Sequence, residues 1–464
     1  MANKITGEER EKWIRRNAYY YKCLVAYLKF IIPKGASILE IGCGTGFLLE
    51  ALQPAYGVGI DNAEALIEHA RKIRGQYTYH LSNAEDFVVY ETFDFILISD
   101  SVGDFHDVQK VFECAQLACT PQTRVIITAT NFLWLPLLNL AEIIKLKMPQ
   151  KRQNWLDISD IVNLLKLADF EVIDNSRRII FPGYIPILSN FLNRIVGNLP
   201  LINQLGLVTC LVARSVIHHS KPAVEQTVSI VIPARNEKGN IESLVLRSPH
   251  MGLRTEIIFI EGNSSDGTWE EIQRVGQFYK DQLVIKWAQQ TGKGKGDAVR
   301  KGFEMATGDI LMILDADMTV PPEDLVKFYD AINSGKGEYI NGTRLVYPME
   351  DEAMRTLNLI GNKFFSLTFS WLLGQPLKDT LCGTKVLTRE NYLKLAANRA
   401  YFGNFDPFGD FDLIFGSAKL HLKFIEVPIR YKARTYGETN ISRFRHGWIL
   451  LKMTFFAMNK IKFK

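Results

Sequence analysis

Short apolar strands alternate with amphipathic stretches along nearly all of this 464-residue chain, and the alternation starts twice. SILEI (37–41), YGVGI (56–60), FDFILIS (93–99) and RVIITAT (124–130) are apolar runs separated by segments such as NAEALIEHARKI, whose apolar residues recur at the helical period. Strands and helices in that order pack as a mainly parallel sheet with helices on both faces. NWLDISDIVNLLKLADFEVI adds a helix and a strand, and LGLVTCLVARSV (205–216) closes the first sheet. HHSKPAVEQ (218–226) is polar and contains a proline; after it TVSIVIPARNE (227–237) restarts the rhythm, with TEIIFIEG, TWEEIQRVGQFY, QLVIKWAQ, DAVRKGFEMA and DILMILDAD behind it. The expected fold is α/β with two domains, each built on a Rossmann-like sheet: 1–218, a linker at 219–226, and 227–464. A chain of this length exceeds what one ordinary core supports.

Composition narrows the function classes. The six cysteines are scattered, without a CxxC pair or a histidine at ligand spacing, so neither zinc nor a disulfide framework is expected, and a reducing, cytoplasmic setting is. The N-terminal MANKITGEEREKWIRRN is charged and lacks the apolar core of a signal peptide. No stretch reaches the ~18 uninterrupted apolar residues of a spanning helix. Residues 1–218 carry 22 Lys+Arg against 22 Asp+Glu, so the first half lacks the basic stripe that nucleic-acid binding requires. The excess of +5 falls in 227–464, and the last 22 residues hold six basic residues and no acid.

In ILEIGCGTGFLLEAL (38–52), Gly42, Gly44 and Gly46 follow a strand and open a helix. Glycines there permit a tight turn and close approach of a ligand to the backbone. The spacing is GxGxG, and Glu40 precedes it; a carboxylate in that place repels a pyrophosphate but suits an ammonium. Asp61 ends the next strand, where its two oxygens can accept from ribose hydroxyls. This segment resembles motif I of class I methyltransferases, a resemblance that extends over about residues 20–215. It implies S-adenosylmethionine as methyl donor, with Glu40 and the glycine loop at the methionine end, Asp61 on the ribose, and Asn62 and Asn83 near the adenine. SDSVGDFHD (99–107) takes the place beside the transferred methyl, with Gly103 and Asp104 where a Glu-His pair is common; the lone His106 reads as a surface residue. The methyl acceptor stays open.

Four motifs converge in the second half. SIVIPARNEKGNI (229–241) carries Pro233, Arg235 and Glu237 at a strand end, and EIIFIEGNSSDGTWE (256–270) carries Glu261 and Asp266. GKGKGDAVRKGF (292–303), with Lys295, is a basic, glycine-rich helix start suited to a phosphorylated ligand. DILMILDADMTVPPEDL (309–325) ends a buried strand with Asp315 and Asp317, a costly arrangement unless the pair meets a cation. Mg²⁺ or Mn²⁺ bridging to a nucleotide diphosphate satisfies both carboxylates.

This half resembles the polyprenyl-phosphate (dolichol-phosphate) mannosyltransferase branch of family 2 glycosyltransferases, which have the GT-A fold. The resemblance implies a nucleotide-diphosphate sugar as donor and a polyprenyl phosphate as acceptor. Pro233, Arg235 and Glu237 contact the nucleoside in that reading, and Asp266 sits in the second nucleotide-binding turn, where Glu261-Gly262-Asn263 departs from the common double aspartate. Asp317 holds the metal with Asp315 beside it, Arg434 lies near the diphosphate, and Arg344 and Arg355 hold the acceptor phosphate. Asp410 and Asp412 in FGDFDLIF are the candidate bases should the acceptor be a hydroxyl. A scaffold whose methyltransferase-like half only docks the glycosyltransferase is the rival of another class. NKFFSLTFSWLLG (362–374), the segment 182–205 and the basic C-terminus mix large apolar residues with lysines, as interfacial segments do, so attachment to the cytoplasmic face of a membrane is expected.

Overall fold

The computed structural model describes residues 5–149, 156–216, 226–344, 356–401, 411–432, 434, 436 and 443–463, with backbone alone for 356–362 and 443–447. The chain divides into two compact units, one of residues 1–221 with 462–464 and one of residues 222–461.

The first unit is a seven-stranded sheet of β1 Ser37–Ile41, β2 Tyr56–Asp61, β3 Thr78–Leu81, β4 Phe95–Ser99, β5 Arg124–Thr130, β6 Phe170–Arg178 and β7 Val208–Ser215. The spatial order is β3-β2-β1-β4-β5-β7-β6. β1 to β5 run parallel, and β7 is antiparallel to both β5 and β6. Helices cover both faces because the central strands are apolar throughout: Ile38, Leu39, Ile96, Leu97, Val125 and Ile126 are fully buried. The chain builds outward from β1 to β2 and β3, then returns to place β4 on the other side of β1. That reversal opens a crevice at the carboxyl ends of β1 and β4, the place where such sheets bind ligands.

The second unit repeats the plan with β8 Val228–Ala234, β9 Thr255–Glu261, β10 Val284–Gln289, β11 Ile310–Ile313, β12 Tyr339–Thr343, β13 Lys385–Thr388 and β14 Phe424–Pro428. The order is β10-β9-β8-β11-β13-β12-β14, with β13 antiparallel to β11 and β12. Here the reversal lies between β8 and β11. Both units are α/β, each a mixed seven-stranded sheet. Among the described residues no helix is long and apolar enough to cross a membrane.

Candidate active sites

In the first unit the loop after β1 is drawn against its neighbours. Gly42, Gly44 and Gly46 all have positive φ (79°, 54° and 74°). A Cβ on Gly42 would lie 2.7 Å from the Ser101 side chain, and one on Gly46 would lie 2.3 Å from the Tyr79 hydroxyl oxygen. No side chain fits at either place, so the glycines are demanded by space as well as by backbone angle.

Asp61 ties the loop to the end of β2. Its Oδ2 accepts the Gly44 N–H at 2.8 Å and its Oδ1 accepts the Ala63 N–H at 2.9 Å. Glu40 is buried in β1 at 2 % exposure, and its Oε2 has no hydrogen-bond partner among the described residues. Burial, reinforced by nearby Asp61, pushes its carboxyl well above the usual carboxylate range. A buried carboxyl with one oxygen unsatisfied beside a glycine loop fits a ligand that brings a positive charge, and the ammonium of S-adenosylmethionine is such a charge. Asn62 and Asn83 meet each other, Nδ2 donating to Oδ1 at 3.4 Å. The residues expected at the methionine, ribose and adenine ends therefore lie along one strand-end crevice.

Past β4, Gly103 and Asp104 lie in a short 3₁₀ turn, and His106 is exposed with its backbone N–H donating to Glu85. The polar group at this strand end is one the motif reading passes over. Asp100, with φ of 54°, accepts the Tyr20 hydroxyl at 2.6 Å on Oδ2 and the Thr128 hydroxyl at 3.1 Å on Oδ1. Its sequence signals are the tyrosine cluster AYYYKC in an N-terminal helix and an aspartate directly after a strand.

In the second unit, pairing of β11 with β8 continues one residue past the strand, Leu314 N–H donating to Val231 at 3.0 Å. That fixes Asp315 and Asp317 on the turn beyond it. Arg434 bridges two of the expected site residues: Nη2 donates to Asp317 Oδ2 at 2.8 Å and Nη1 to Glu237 Oε1 at 3.2 Å. The Lys432 N–H, donating to Thr319 at 2.9 Å, draws this segment onto the aspartate turn. Glu237 also accepts from Asn240 Nδ2 at 2.8 Å. Burial pushes its carboxyl up to about 7 against the opposing charge of Arg434. Asp315 pairs with Lys295 at 2.6 Å. Burial works against its charge, but Lys295, buried Lys385 and Arg344 together hold it below the ordinary range.

Two carboxylates on one strand end, each matched to a cation, are a donor set that fits Mg²⁺ or Mn²⁺. Such ions commonly take one or two protein carboxylates and fill the remaining positions with substrate phosphate and water. Among the described residues there is no cluster of three or more side chains that could hold a metal ion.

The remaining expected residues are distributed as follows. Pro233 pairs with Ile260 across β8 and β9, and Arg235 is exposed just beyond the strand. Asp266 closes its own turn, accepting from Thr268 and from the Lys238 N–H, and it receives the Tyr436 hydroxyl at 3.3 Å. Glu261 is buried beneath that turn, accepting from the Ser264 N–H and from Gln289, so it braces the loop. Arg344 forms a bidentate pair with buried Asp379, Nε to Oδ2 at 2.7 Å and Nη2 to Oδ1 at 2.8 Å, and its guanidinium lies 5.2 Å from the Tyr431 ring. Asp379 was not among the expected residues; its signal is an aspartate in the polar break LKDTLCGT between apolar segments. Asp412 is buried between Arg300 at 3.5 Å and Arg399 at 3.3 Å. Arg355 and Asp410 lie outside the described residues.

Known proteins divide the chain in the same two ways. The family model described as glycosyl transferase family 2 matches residues 229–395, and a methyltransferase domain model matches residues 13–175. The glycosyltransferase AglJ of Haloferax volcanii is 30% identical over 225 residues, 48% of this chain and 69% of that protein. The dolichol-phosphate mannosyltransferase of Pyrococcus furiosus is 36% identical over 121 residues, 26% of this chain and 33% of that protein, so the chain matches only a third of its length. A solved S-adenosylmethionine-dependent methyltransferase from Thermotoga maritima is 19% identical, with 45% of this chain and 94% of that one covered and a TM-score of 0.35.

Proposed function

We propose a polyprenyl-phosphate glycosyltransferase for this chain, which belongs to glycosyl transferase family 2 through its second unit and carries an S-adenosylmethionine methyltransferase domain in its first. The observation that carries the reading is the strand-end set of Asp315, Asp317, Glu237, Arg434 and Lys295. It offers carboxylates for a divalent ion and two cations for a nucleotide diphosphate. The ion, when bound, supplies charge for the departing diphosphate. Glu237, Arg235 and the Asp266 turn hold the nucleoside, while Arg434 and Lys295 exchange their carboxylate partners for phosphate oxygens as the donor binds.

A phosphate acceptor is anionic at neutral pH and attacks the anomeric carbon without a general base, giving inversion. Arg344 holds it together with Arg355. Asp379 engages two of the five N–H groups of the Arg344 guanidinium and so fixes its plane for the rest. A hydroxyl acceptor needs a base, and Asp412 is instead engaged by Arg300 at 3.5 Å and Arg399 at 3.3 Å.

The first unit, in this proposal, transfers methyl within the same glycan or lipid pathway. The unsatisfied Glu40 Oε2 and the loop held by Asp61 support an active donor site over a docking role.

The acceptor assignment is tested with a labelled nucleotide sugar offered to polyprenyl phosphate or to a non-phosphorylated glycolipid. Transfer to the phosphate, lost in Arg344→Ala and retained in Asp412→Asn, is expected. Transfer to the glycolipid alone, abolished by Asp412→Asn, overturns it.

A further inference from the structure

Two segments of the first unit leave large apolar side chains in water. One follows β5, from Phe132 to Leu146; the other lies between β6 and β7, from Tyr184 to Leu205. They form one surface: the Asn131 side-chain amide donates to the carbonyls of Gln204 at 3.1 Å and Gly206 at 2.8 Å, and Trp134 Nε1 donates to Leu205 at 2.8 Å. Helix Leu135–Ile143 has no buried residue at all. Ile143 is 77% exposed, and Ile187 and Leu201 are 86% and 85% exposed. The last two also have positive φ, 66° and 72°, a costly backbone for a bulky residue. Ile187 and Leu201 both sit at turns.

Charge says what covers them. The described residues of these two segments hold Lys145, Lys147 and Arg194 against a single acid, Glu142, which pairs with Lys147 at 2.5 Å and leaves Lys145 and Arg194 in excess. Protruding aliphatic residues in a basic surround complement an anionic lipid surface, the apolar groups entering the acyl boundary and the cations meeting headgroups.

One turn of helix Ala18–Ile31 joins this face to the methyl-donor site. The Tyr19 hydroxyl donates to Asn190 Oδ1 at 3.2 Å, and its ring lies 5.4 Å from that of Tyr184. The Tyr20 ring packs on the cluster of Ile179, Leu207, Val208 and Cys210, as do Trp134 and Leu138, while its hydroxyl reaches Asp100. The Tyr21 ring lies 5.4 Å from Phe47, the first residue of the helix that follows the glycine loop. Three consecutive tyrosines of one helix thus touch the apolar face, Asp100 and the helix after the glycine loop.

We propose that this face docks the methyltransferase unit on an anionic membrane surface and that its methyl acceptor is borne on a lipid. The inference rests on the methyl-donor reading of the first unit and is independent of sugar transfer. In the transfer, a heteroatom of the lipid-borne acceptor forms a bond to the methyl carbon as the carbon–sulfur bond breaks. The electron pair stays on sulfur as a neutral thioether, and the acceptor's proton leaves through the Asp100 carboxylate.

The test uses the full chain with Leu201→Cys in a Cys23→Ser background, labelled with an environment-sensitive fluorophore. Vesicles of phosphatidylcholine and phosphatidylglycerol in equal parts should shift the label to the blue, and phosphatidylcholine alone should shift it much less. An unshifted label on protein that sediments with the vesicles overturns the docking face. So does a label already shielded without vesicles in a concentration-dependent way, which would show a second copy covering it. In parallel, Ile187→Asp with Leu201→Asp should lower methyl incorporation from labelled S-adenosylmethionine into the solvent-extractable lipid fraction by about tenfold or more, since two aliphatic side chains no longer leave water. Calorimetric binding of S-adenosylmethionine and sugar transfer to detergent-dispersed polyprenyl phosphate should not change. Methyl appearing only in water-soluble product, equally in both proteins, refutes the lipid-borne acceptor. A wild type that binds no S-adenosylmethionine removes the underlying reading instead, and the calorimetry separates the two failures.

Discussion

Replacing Asp61 by asparagine isolates the contact that organises the methyl-donor crevice. Each carboxylate oxygen accepts one backbone N–H, Gly44 at 2.8 Å and Ala63 at 2.9 Å. Asparagine offers one carbonyl oxygen, so in either orientation one of these N–H groups faces an NH₂ group. A hydrogen bond to a charged acceptor contributes about 1.5–3 kcal/mol. With one of the two lost, S-adenosylmethionine should bind roughly 10- to 100-fold more weakly, since ~1.4 kcal/mol is a factor of ten. Asp61→Ala should cost more, because neither N–H keeps its partner. Calorimetry on the full chain measures both. An analogue lacking the ribose hydroxyls adds a second comparison. If Asp61 also receives those hydroxyls, the penalty of Asp61→Asn should shrink for the analogue; a penalty of the same size would confine Asp61 to holding the loop. Wild-type affinity in Asp61→Asn would refute the reasoning altogether.

Donor use should rise through pH 7 and level off above it, because Glu237 ionises at about 7 and its ionised form is the acceptor; in Glu237→Gln this rise should vanish from the pH profile of kcat/KM. The same carboxyl sets a sign for stability. Its folded value lies above the ordinary 4.5, so the folded protein holds the proton longer and stability falls as pH rises from about 4.5 to 7. Urea midpoints of wild type and Glu237→Gln at the two ends of that window should diverge in this direction. Asp379→Asn leaves the half-buried Arg344 without its counter-charge, and breaking a buried pair costs about 3–5 kcal/mol. Denaturant unfolding should show the loss, and Arg344→Ala made in the Asp379→Asn background should add little to it.

The two-unit α/β plan was readable because both sheets are built on apolar runs buried on both faces. β1, β5 and β8 sit where SILEI, RVIITAT and TVSIVIP place them. β3 leaves little signal because Thr-Tyr-His-Leu (78–81) is a short edge strand exposed at three of its four positions. The short β12 and β13 lie in the antiparallel part of the second sheet, where strand–helix rhythm gives no cue. Residues next to glycine runs or strand ends, such as Glu40, Asp61, Asp315 and Asp317, were legible because their chemistry needs those positions. Their partners were harder to see. Arg434 meets Glu237 across 197 residues, and Tyr20 meets Asp100 across 80. Such pairs are set by sheet topology and leave no local pattern. Arg344 was visible as a cation but not as half of an ion pair, since Asp379 reaches it only through folding.

In the proposed reaction the Asp315/Asp317 strand end carries metal-assisted transfer from a nucleotide sugar to a lipid phosphate. Its most direct measurement is the label appearing in polyprenyl-linked product when a labelled nucleotide sugar is incubated with wild type or Asp317→Asn, in Mg²⁺ or Mn²⁺ and in excess chelator. Product is expected with wild type and metal, with its loss in chelator and its loss in folded Asp317→Asn at any metal concentration. Undiminished transfer by Asp317→Asn, or by wild type in excess chelator, would contradict it.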